Sequence, residues 1–514
     1  MTSSVEFTVA NIISGPGRLI HAGLGTLSLI GNNTYSGDTV LPNGGKIKLG
    51  HSNAIGCGEL ILSESCQIDL TGGITVTNDV VLSPSAGLYS YGTTNFSNLS
   101  GSNIIHCNIL AQISASILRF TNNAEPGTSL TIGGTITGPT TLIALRGSGG
   151  GSAPRYGFFN TPVNDSDAIF EIAGDTHWTI SSAGNNWAYT SLRSGTGNMI
   201  LGIENALDTA ARVKWGENAT NCLDLNGYHQ TVAGLDYTGV STSGGVTNES
   251  KSDSTLRLEG LTTDYNFAGT IRDGATNRVH LVMTSPSRTQ TLSGSLAYTG
   301  DTTIEAGTLA LSATTALGDA STVRINGGTS ILSLSTGITD VVNALVIDGV
   351  MKAPGTWGTT ASLATYKDDI HFSGTGVLQV VPYTTWANSF GLQEPWPGGD
   401  DSLNGNRAAD PDHDGLTNFE EFAFGLFPIT GTSPSPIVVP LDKTTGVFSY
   451  TRRKPSLTGL QYHYVYSTSL VGEWPSFTPD FENIDLGDPV ETVSAVVPSS
   501  LLASPKLFIR VFAK

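Results

Sequence analysis

Gly25-Thr-Leu-Ser-Leu-Ile-Gly31-Asn-Asn-Thr-Tyr35-Ser-Gly37-Asp38-Thr39-Val40, followed by Gly45-Lys-Ile47-Lys-Leu49 and Ala54-Ile55-Gly56, is met again about halfway along the chain. The second copy reads Gln290-Thr-Leu292-Ser-Gly294-Ser-Leu-Ala-Tyr298-Thr-Gly300-Asp301-Thr302-Thr303-Ile304, then Gly307-Thr-Leu309-Ala-Leu311 and Ala316-Leu317-Gly318. With one residue inserted before Gly45, the apolar positions, the Tyr-x-Gly-Asp-Thr centre and the glycines recur in the same order. Apolar residues at every second position, such as Leu27, Leu29, Ile47 and Leu49, specify short strands with one buried face, and Gly, Asn and Asp between them supply turns. Units that bury a face only by stacking on the next unit form a solenoid. Leu27, Leu29, Leu292, Leu309 and Leu311 are therefore expected to point inward.

The same text continues on both sides of these copies. Leu60-Ile-Leu62, Ile68-Asp-Leu70, Val80-Val-Leu82, Ile117-Leu-Arg-Phe120 and Leu130-Thr-Ile132 keep the alternation through residue 135, with no competing helical period. Weaker echoes follow in Leu223-Asp-Leu225-Asn226-Gly227 and Phe267-Ala-Gly269-Thr-Ile271, and the alternation runs on to Gly376-Val-Leu-Gln-Val-Val381. The pattern resembles the bacterial autotransporter-associated β-strand repeat. That resemblance implies a right-handed parallel β-helix on a secreted or cell-surface protein, and extends over residues 1–382. Ala353-Pro-Gly-Thr-Trp357-Gly358 reads as the element that closes the coil against edge-to-edge pairing.

Residues 145–200 break the pattern and read as an irregular insertion, a loop or a wider rung. Gly147-Ser-Gly-Gly-Gly-Ser152 precedes Tyr156, Phe158, Phe159, Trp178, Trp187 and Tyr189. Aromatic faces stack on sugars, so Trp178, Trp187 and Tyr189 are candidate glycan-binding residues, and Asp165, Asp167, Asp175 and His177 are candidates for polar contact or proton transfer. The competing reading is that these rings fill the interior of the rungs.

Composition narrows the class. The 514 residues carry a formal charge of −18, which disfavours nucleic acid as a partner. Gly at 62 residues with 13% charged and 39% hydrophobic residues describes a folded, turn-dense all-β chain. Basic residues are sparse: only Arg18, Lys46, Lys48 and Arg119 precede Arg146. Cys57, Cys66, Cys107 and Cys222 lack zinc-ligand spacing and read as packed free thiols, with Cys57–Cys66 or Cys66–Cys107 pairing as the oxidised alternative. No apolar run reaches membrane-spanning length and no leader precedes the repeats, so Met1 is expected to open a fragment, exported as the resemblance implies.

After Pro382 the text changes. Thr384-Thr-Trp386-Ala-Asn-Ser-Phe390-Gly391 reads as a short helix, and the acidic stretch Gly398 to Asn406 reads as a linker. Asp410-Pro-Asp412-His-Asp414-Gly415-Leu416-Thr-Asn418-Phe-Glu420-Glu421 then fits the D-x-[DN]-x-[DN]-G-x5-E calcium loop at every required position. Calcium takes six to eight oxygens at roughly 2.3 to 2.6 Å, and this spacing wraps them around one point. Asp410, Asp412 and Asp414 offer carboxylates, Leu416 a backbone carbonyl, Asn418 a direct or water-mediated contact, and Glu421 both its oxygens from a helix over 418–425. The competing reading is an acidic turn with a capped helix and no metal. With no incoming helix, the motif resembles the loop-helix calcium modules of dockerin-like and thrombospondin-type-3-like segments. Beyond residue 430, alternating segments such as Val447 to Arg453, Tyr462 to Ser467 and Leu507 to Val511 predict a small antiparallel β-sandwich over 431–514.

The fold expected is thus all-β: a parallel β-helix over 1–382, a calcium-loop linker with short helices over 383–430, and the sandwich. G-x-S-x-G, H-E-x-x-H and phosphate-binding motifs are absent, so the leading reading is a non-enzymatic surface rod, adhesive or structural, whose partners are surface glycans or other surface proteins. The alternatives are a polysaccharide-binding spike or a polysaccharide lyase or hydrolase, because enzymes on this scaffold scatter their acids and bases over separate rungs. A charged cluster of Asp, Lys or Arg in one lateral groove would favour the enzyme.

Overall fold

In the computed structural model the alternation seen in the sequence becomes a ladder. The structure describes residues 5–513 apart from 43, 64, 84–91, 113–115, 148–153, 238, 240–243, 251, 276, 313–316, 319–320, 343, 354, 381–382, 394–395, 397, 432–434, 459 and 486–489. The stretch 148–152, Ala316, and the expected boundary at Pro382 lie outside the described residues. The chain divides into two compact units, residues 1–316 with 329–332, and residues 317–328 with 333–514.

The first unit is a parallel β-solenoid. Leu27, Ile47, Ile68, Phe96, Phe120, Leu145, Ile172, Leu192 and Trp215 stand one above another in parallel register, all buried. A second sheet carries its own ladder through Ile105, Ile132, Phe159, Ile180 and Leu201. A third begins with Gln230–Val232, Ser254–Glu259, Val279–Leu292 and Thr302–Leu311. A turn of the coil takes 20 residues between Leu27 and Ile47 but 28 between Ile68 and Phe96. Register is therefore set by the inward-facing side chains, since a slip of one residue would turn every apolar side chain outward. Leu29, Leu292, Leu309 and Leu311 are fully buried or nearly so, as the repeat predicts.

The repeated Tyr-x-Gly-Asp-Thr has a physical explanation at each position. Tyr35 and Tyr298 are buried, so their hydroxyls need partners, and each shares a hydrogen bond with the threonine four residues on: Tyr35 with Thr39 at 2.5 Å and Tyr298 with Thr302 at 2.7 Å. The intervening glycine is required by space. A Cβ on Gly37 would lie 2.6 Å from the Gly17 carbonyl, and one on Gly300 2.2 Å from the Val279 oxygen.

The aromatic segment does not form the insertion that its composition suggests. Strands Asn164–Ala173, Thr176–Ile180 and Asn186–Ser194 continue the two ladders in parallel register. Large rings fit because the chain supplies space beside them. Gly157 faces Trp178 on the next rung, and a Cβ there would fall 2.2 Å from the indole.

The second unit holds the parallel pair Thr322–Ile325 and Ala344–Ile347, and strand Val377–Val380 beside Thr339–Val342. Gly355–Gly358 then pairs antiparallel with Val377–Val380, and Trp357 stacks on Tyr366 at 4.6 Å, where a closing element is expected. Helix Tyr383–Ser389 and helix Asn418–Phe424 follow. Two antiparallel sheets complete the unit: Ile437–Val439, Val447–Arg453, Val490–Val496 and Phe481–Asp485 form one, and Ser476–Phe477, Tyr462–Ser467 and Phe508–Ala513 the other. Phe448, Tyr450, Tyr464, Val493 and Ala495 form the core between them, making the expected small sandwich. None of the four cysteines is in a disulfide among the described residues, and burial pushes the Cys107 thiol up to about 12. Among the described residues no helix is long and apolar enough to cross a membrane.

The tight glycine contact predicts a discriminating pair of variants. Gly300→Ala should cost the solenoid about 1–3 kcal/mol by overpacking. Gly17→Ala, whose Cβ would meet nothing within 4 Å, should leave the unfolding midpoint unchanged. Equal midpoints for both variants would contradict the packing explanation.

Candidate functional site

The carboxylate loop is shaped by its own backbone before any ion is considered. Gly415 sits at φ +93° and His413 at φ +61°, which bend the chain back between the aspartates. The Gly415 N–H donates to Asp410 Oδ2 at 3.0 Å, the Asp414 N–H to Asp412 Oδ1 at 3.3 Å, and the Leu416 N–H to Asp414 Oδ1 at 2.9 Å. One oxygen of each aspartate is thereby held. Thr417 then caps helix Asn418–Phe424 through a reciprocal capping box with Glu420, and Gly425 ends it in the left-handed conformation.

Asp410, Asp412 and Asp414 each offer a ligand atom, and these atoms lie within 4.8 Å of one another. Two oxygens on opposite sides of a calcium ion stand roughly 4.6 to 5.2 Å apart, so the spacing suits that ion. Asp410 Oδ1 and Asp412 Oδ2 are buried and accept no hydrogen bond. Burial pushes the Asp412 carboxyl above the usual carboxylate range, the Asp414 N–H opposes this, and the negative charges of Asp414 and Asp410 add to it. Glu421 is fully buried on the helix but does not belong to the three-carboxylate group.

Asn418 has a second task that its place in the motif does not suggest. Its side-chain amide donates to the carbonyls of Asn404 at 2.8 Å and Asn406 at 3.0 Å, while its Oδ1 is buried without a hydrogen bond. The Tyr383 hydroxyl donates to the Gly405 carbonyl at 2.9 Å. The acidic stretch that reads as a linker is thus tied to both helices. The helix itself joins two cores: Phe422 packs with Tyr383 and Trp386, whereas Ala423 and Phe424 belong to the sandwich core.

The glycan-binding candidates meet a different outcome. Trp178 and Trp187 are buried, Trp187 stacking on Phe170 at 4.4 Å and donating its indole N–H to Thr190, so neither can offer a face to a sugar. Tyr189 is half-buried, with the Arg212 guanidinium 5.1 Å from its ring centre. Asp165 accepts hydrogen bonds from Thr140, and Asp175 from Thr196, as rung-to-rung ties. His177 Nδ1 accepts the Asn198 N–H at 3.2 Å, and burial holds its pKa below the usual imidazole value, only partly offset by Asp224.

Parallel ladders, inward leucines and a twice-repeated Tyr-x-Gly-Asp-Thr unit define the class: a β-solenoid repeat protein. Residues 19–49 and 287–311, which overlap the two copies in the sequence, match the passenger-associated-transport-repeat family. Over 280 residues, 53% of this chain, the sequence is 27% identical to the adhesin BmaC autotransporter of Brucella suis biovar 1 (strain 1330). The matched region covers 6% of that much longer protein. No solved structure matches the chain.

Two predictions arise from these contacts. Asn418→Ala removes both donors to the Asn404 and Asn406 carbonyls, and should destabilise the second unit by about 1–3 kcal/mol even in chelator. An unchanged midpoint would show that the tie is dispensable. His177, its pKa depressed in the folded state, contributes stability above the unfolded value of about 6.5 that is lost as pH falls through the folded value. NMR titration, assigned by difference with His177→Gln, should give a midpoint below 6.5; a midpoint at or above it contradicts the burial argument.

Proposed function

We propose that this chain is a stretch of an extracellular, surface-exposed adhesive β-helix, non-enzymatic, with a calcium-binding loop that fixes the helix on which the second unit is built. The observation that carries the adhesive reading is the combination of passenger-type repeats at two places on one solenoid with similarity to an autotransporter adhesin. A stacked coil suits the task physically: its core grows lengthwise, leaving successive outward positions for contact. For the loop, support comes from the three aspartates and from the buried Asp410 Oδ1, Asp412 Oδ2 and Asn418 Oδ1, each without a hydrogen bond. The ligands we assign to calcium are Asp410, Asp412, Asp414, the Leu416 carbonyl, Asn418 and Glu421. The bound ion would neutralise carboxylates that otherwise repel one another across a single turn.

Latex beads coated with the chain should be retained on a glycan-bearing cell monolayer above albumin-coated beads; equal retention removes the adhesive reading. Calorimetry tests the loop separately. At free calcium a hundred times the dissociation constant, the second unit should gain roughly 2.7 kcal/mol over the chelated protein, while the first unit should not respond. Asp412→Ala should abolish that gain. A calcium-independent transition, or a variant that still responds like the parent, overturns the assignment.

A further inference from the structure

Arg119, Arg146 and Arg193 are far apart in sequence but share one lateral groove of the solenoid, of about 580 Å³. They stand on strands Ser116–Asn122, Thr140–Arg146 and Asn186–Ser194, the first, second and fourth of four successive rungs of one sheet. At about 4.8 Å per rung the row spans roughly 14 Å. The groove exists because small residues stand among the arginines: Ala144 is the register partner of Arg119, and Gly147, Ala173 and Gly174 line the floor. In a chain of formal charge −18, this is a local reversal of sign.

The charges do not cancel internally. Glu171, on the intervening strand, pairs with Arg146 and lies 3.7 Å from Arg193, so one carboxylate is shared by two of the three guanidiniums. Among the described residues Arg119 has no ion-pair partner, and its buried Nε donates no hydrogen bond. The Arg193 side chain is 65% exposed. Burial lowers the Arg146 pKa, Glu171 opposes that shift, and Arg119 and Arg193 lower it again. Guanidinium forks match carboxylate and sulfate oxygens two by two, and a row of them several rungs long fits charges spaced along a chain better than one small anion. Among the described lining residues there is no carboxylate, histidine, lysine or tyrosine, and a guanidinium does not give up its proton. The one carboxylate beside them, Glu171, is held by Arg146 and Arg193.

We propose that this groove binds an acidic oligosaccharide without cleaving it, carboxylate or sulfate groups on its sugars seating on Arg119 and Arg193. The inference rests on the adhesive reading for its use at a surface, and on the groove alone for its chemistry.

Isothermal titration of the whole chain with hexagalacturonate, a heparin hexasaccharide and cellohexaose separates carboxylate, sulfate and neutral sugars. At least one acidic ligand should bind at least tenfold more tightly than cellohexaose, and binding should weaken with added salt. Arg119→Gln and Arg193→Gln should each weaken it about tenfold, and together about a hundredfold, since the two sites are well separated. Arg146 is left in place because its removal would strand buried Glu171. Should Arg119→Gln fail to fold, the exposed Arg193→Gln alone decides. No binding of either acidic ligand, equal binding of cellohexaose, full affinity in a folded Arg193→Gln variant, or release of reducing or unsaturated ends overturns the proposal. Beads that adhere while the chain binds no acidic sugar sink this assignment and leave the adhesive reading standing; acidic-sugar binding by a chain whose beads do not adhere does the reverse.

Discussion

Each rung of the solenoid exposes two rows of backbone N–H and C=O groups that only another rung can satisfy. That requirement brings successive turns to one fixed separation, and most local features of the first unit follow from it. At that separation Gly37 and Gly300 have no space for a side chain beyond hydrogen, and the backbone carbonyls of the neighbouring turn are the obstacle. Tyr35 and Tyr298, drawn inside by their rings, must settle their hydroxyls on Thr39 and Thr302 within the same turn. The repeat is the record of these demands, and its spacing is the spacing of the chain's return to the same wall.

What could be read in advance was local. Alternation at Leu27, Leu29, Ile47 and Leu49 sufficed for the strands and their inward face, and three alternating aspartates followed by Gly415 sufficed for the turned loop. The aromatic segment was misleading because a ring on an alternating strand has no sign until register is known. Trp178 lies inside because Gly157 on the preceding rung makes room, and nothing within either stretch announces that partnership. The arginine groove was illegible for the same reason, since the coil brings together residues with no common motif. Asn418 was legible as a loop position but not as the tie to Asn404 and Asn406, which depends on where an acidic stretch folds back.

Within the second unit, one short helix joins two cores. Seven residues from Asn418 to Phe424 carry a capping box at one end, a left-handed glycine at the other, and buried faces towards two separate cores. A helix this short is not stable by itself, so packing sets its position and the loop before it sets its start. An ion at Asp410, Asp412 and Asp414 would act on an element that packs into both the aromatic cluster and the sandwich. Its effect would be larger than three surface carboxylates suggest.

The turns of the coil differ in length, 20 residues in one place and 28 in another, yet their inward side chains stay in register. Distance along the molecule is therefore counted in turns and not in residues. Arg119 and Arg193 are 74 positions apart in the chain and only three steps apart on the wall. Insertions at the corners can accumulate without changing the interval between two outward groups, whereas loss of one whole turn would shorten it by a fixed increment. Such a scaffold behaves as a ruler with exchangeable markings: the corners can drift while the graduation stays constant.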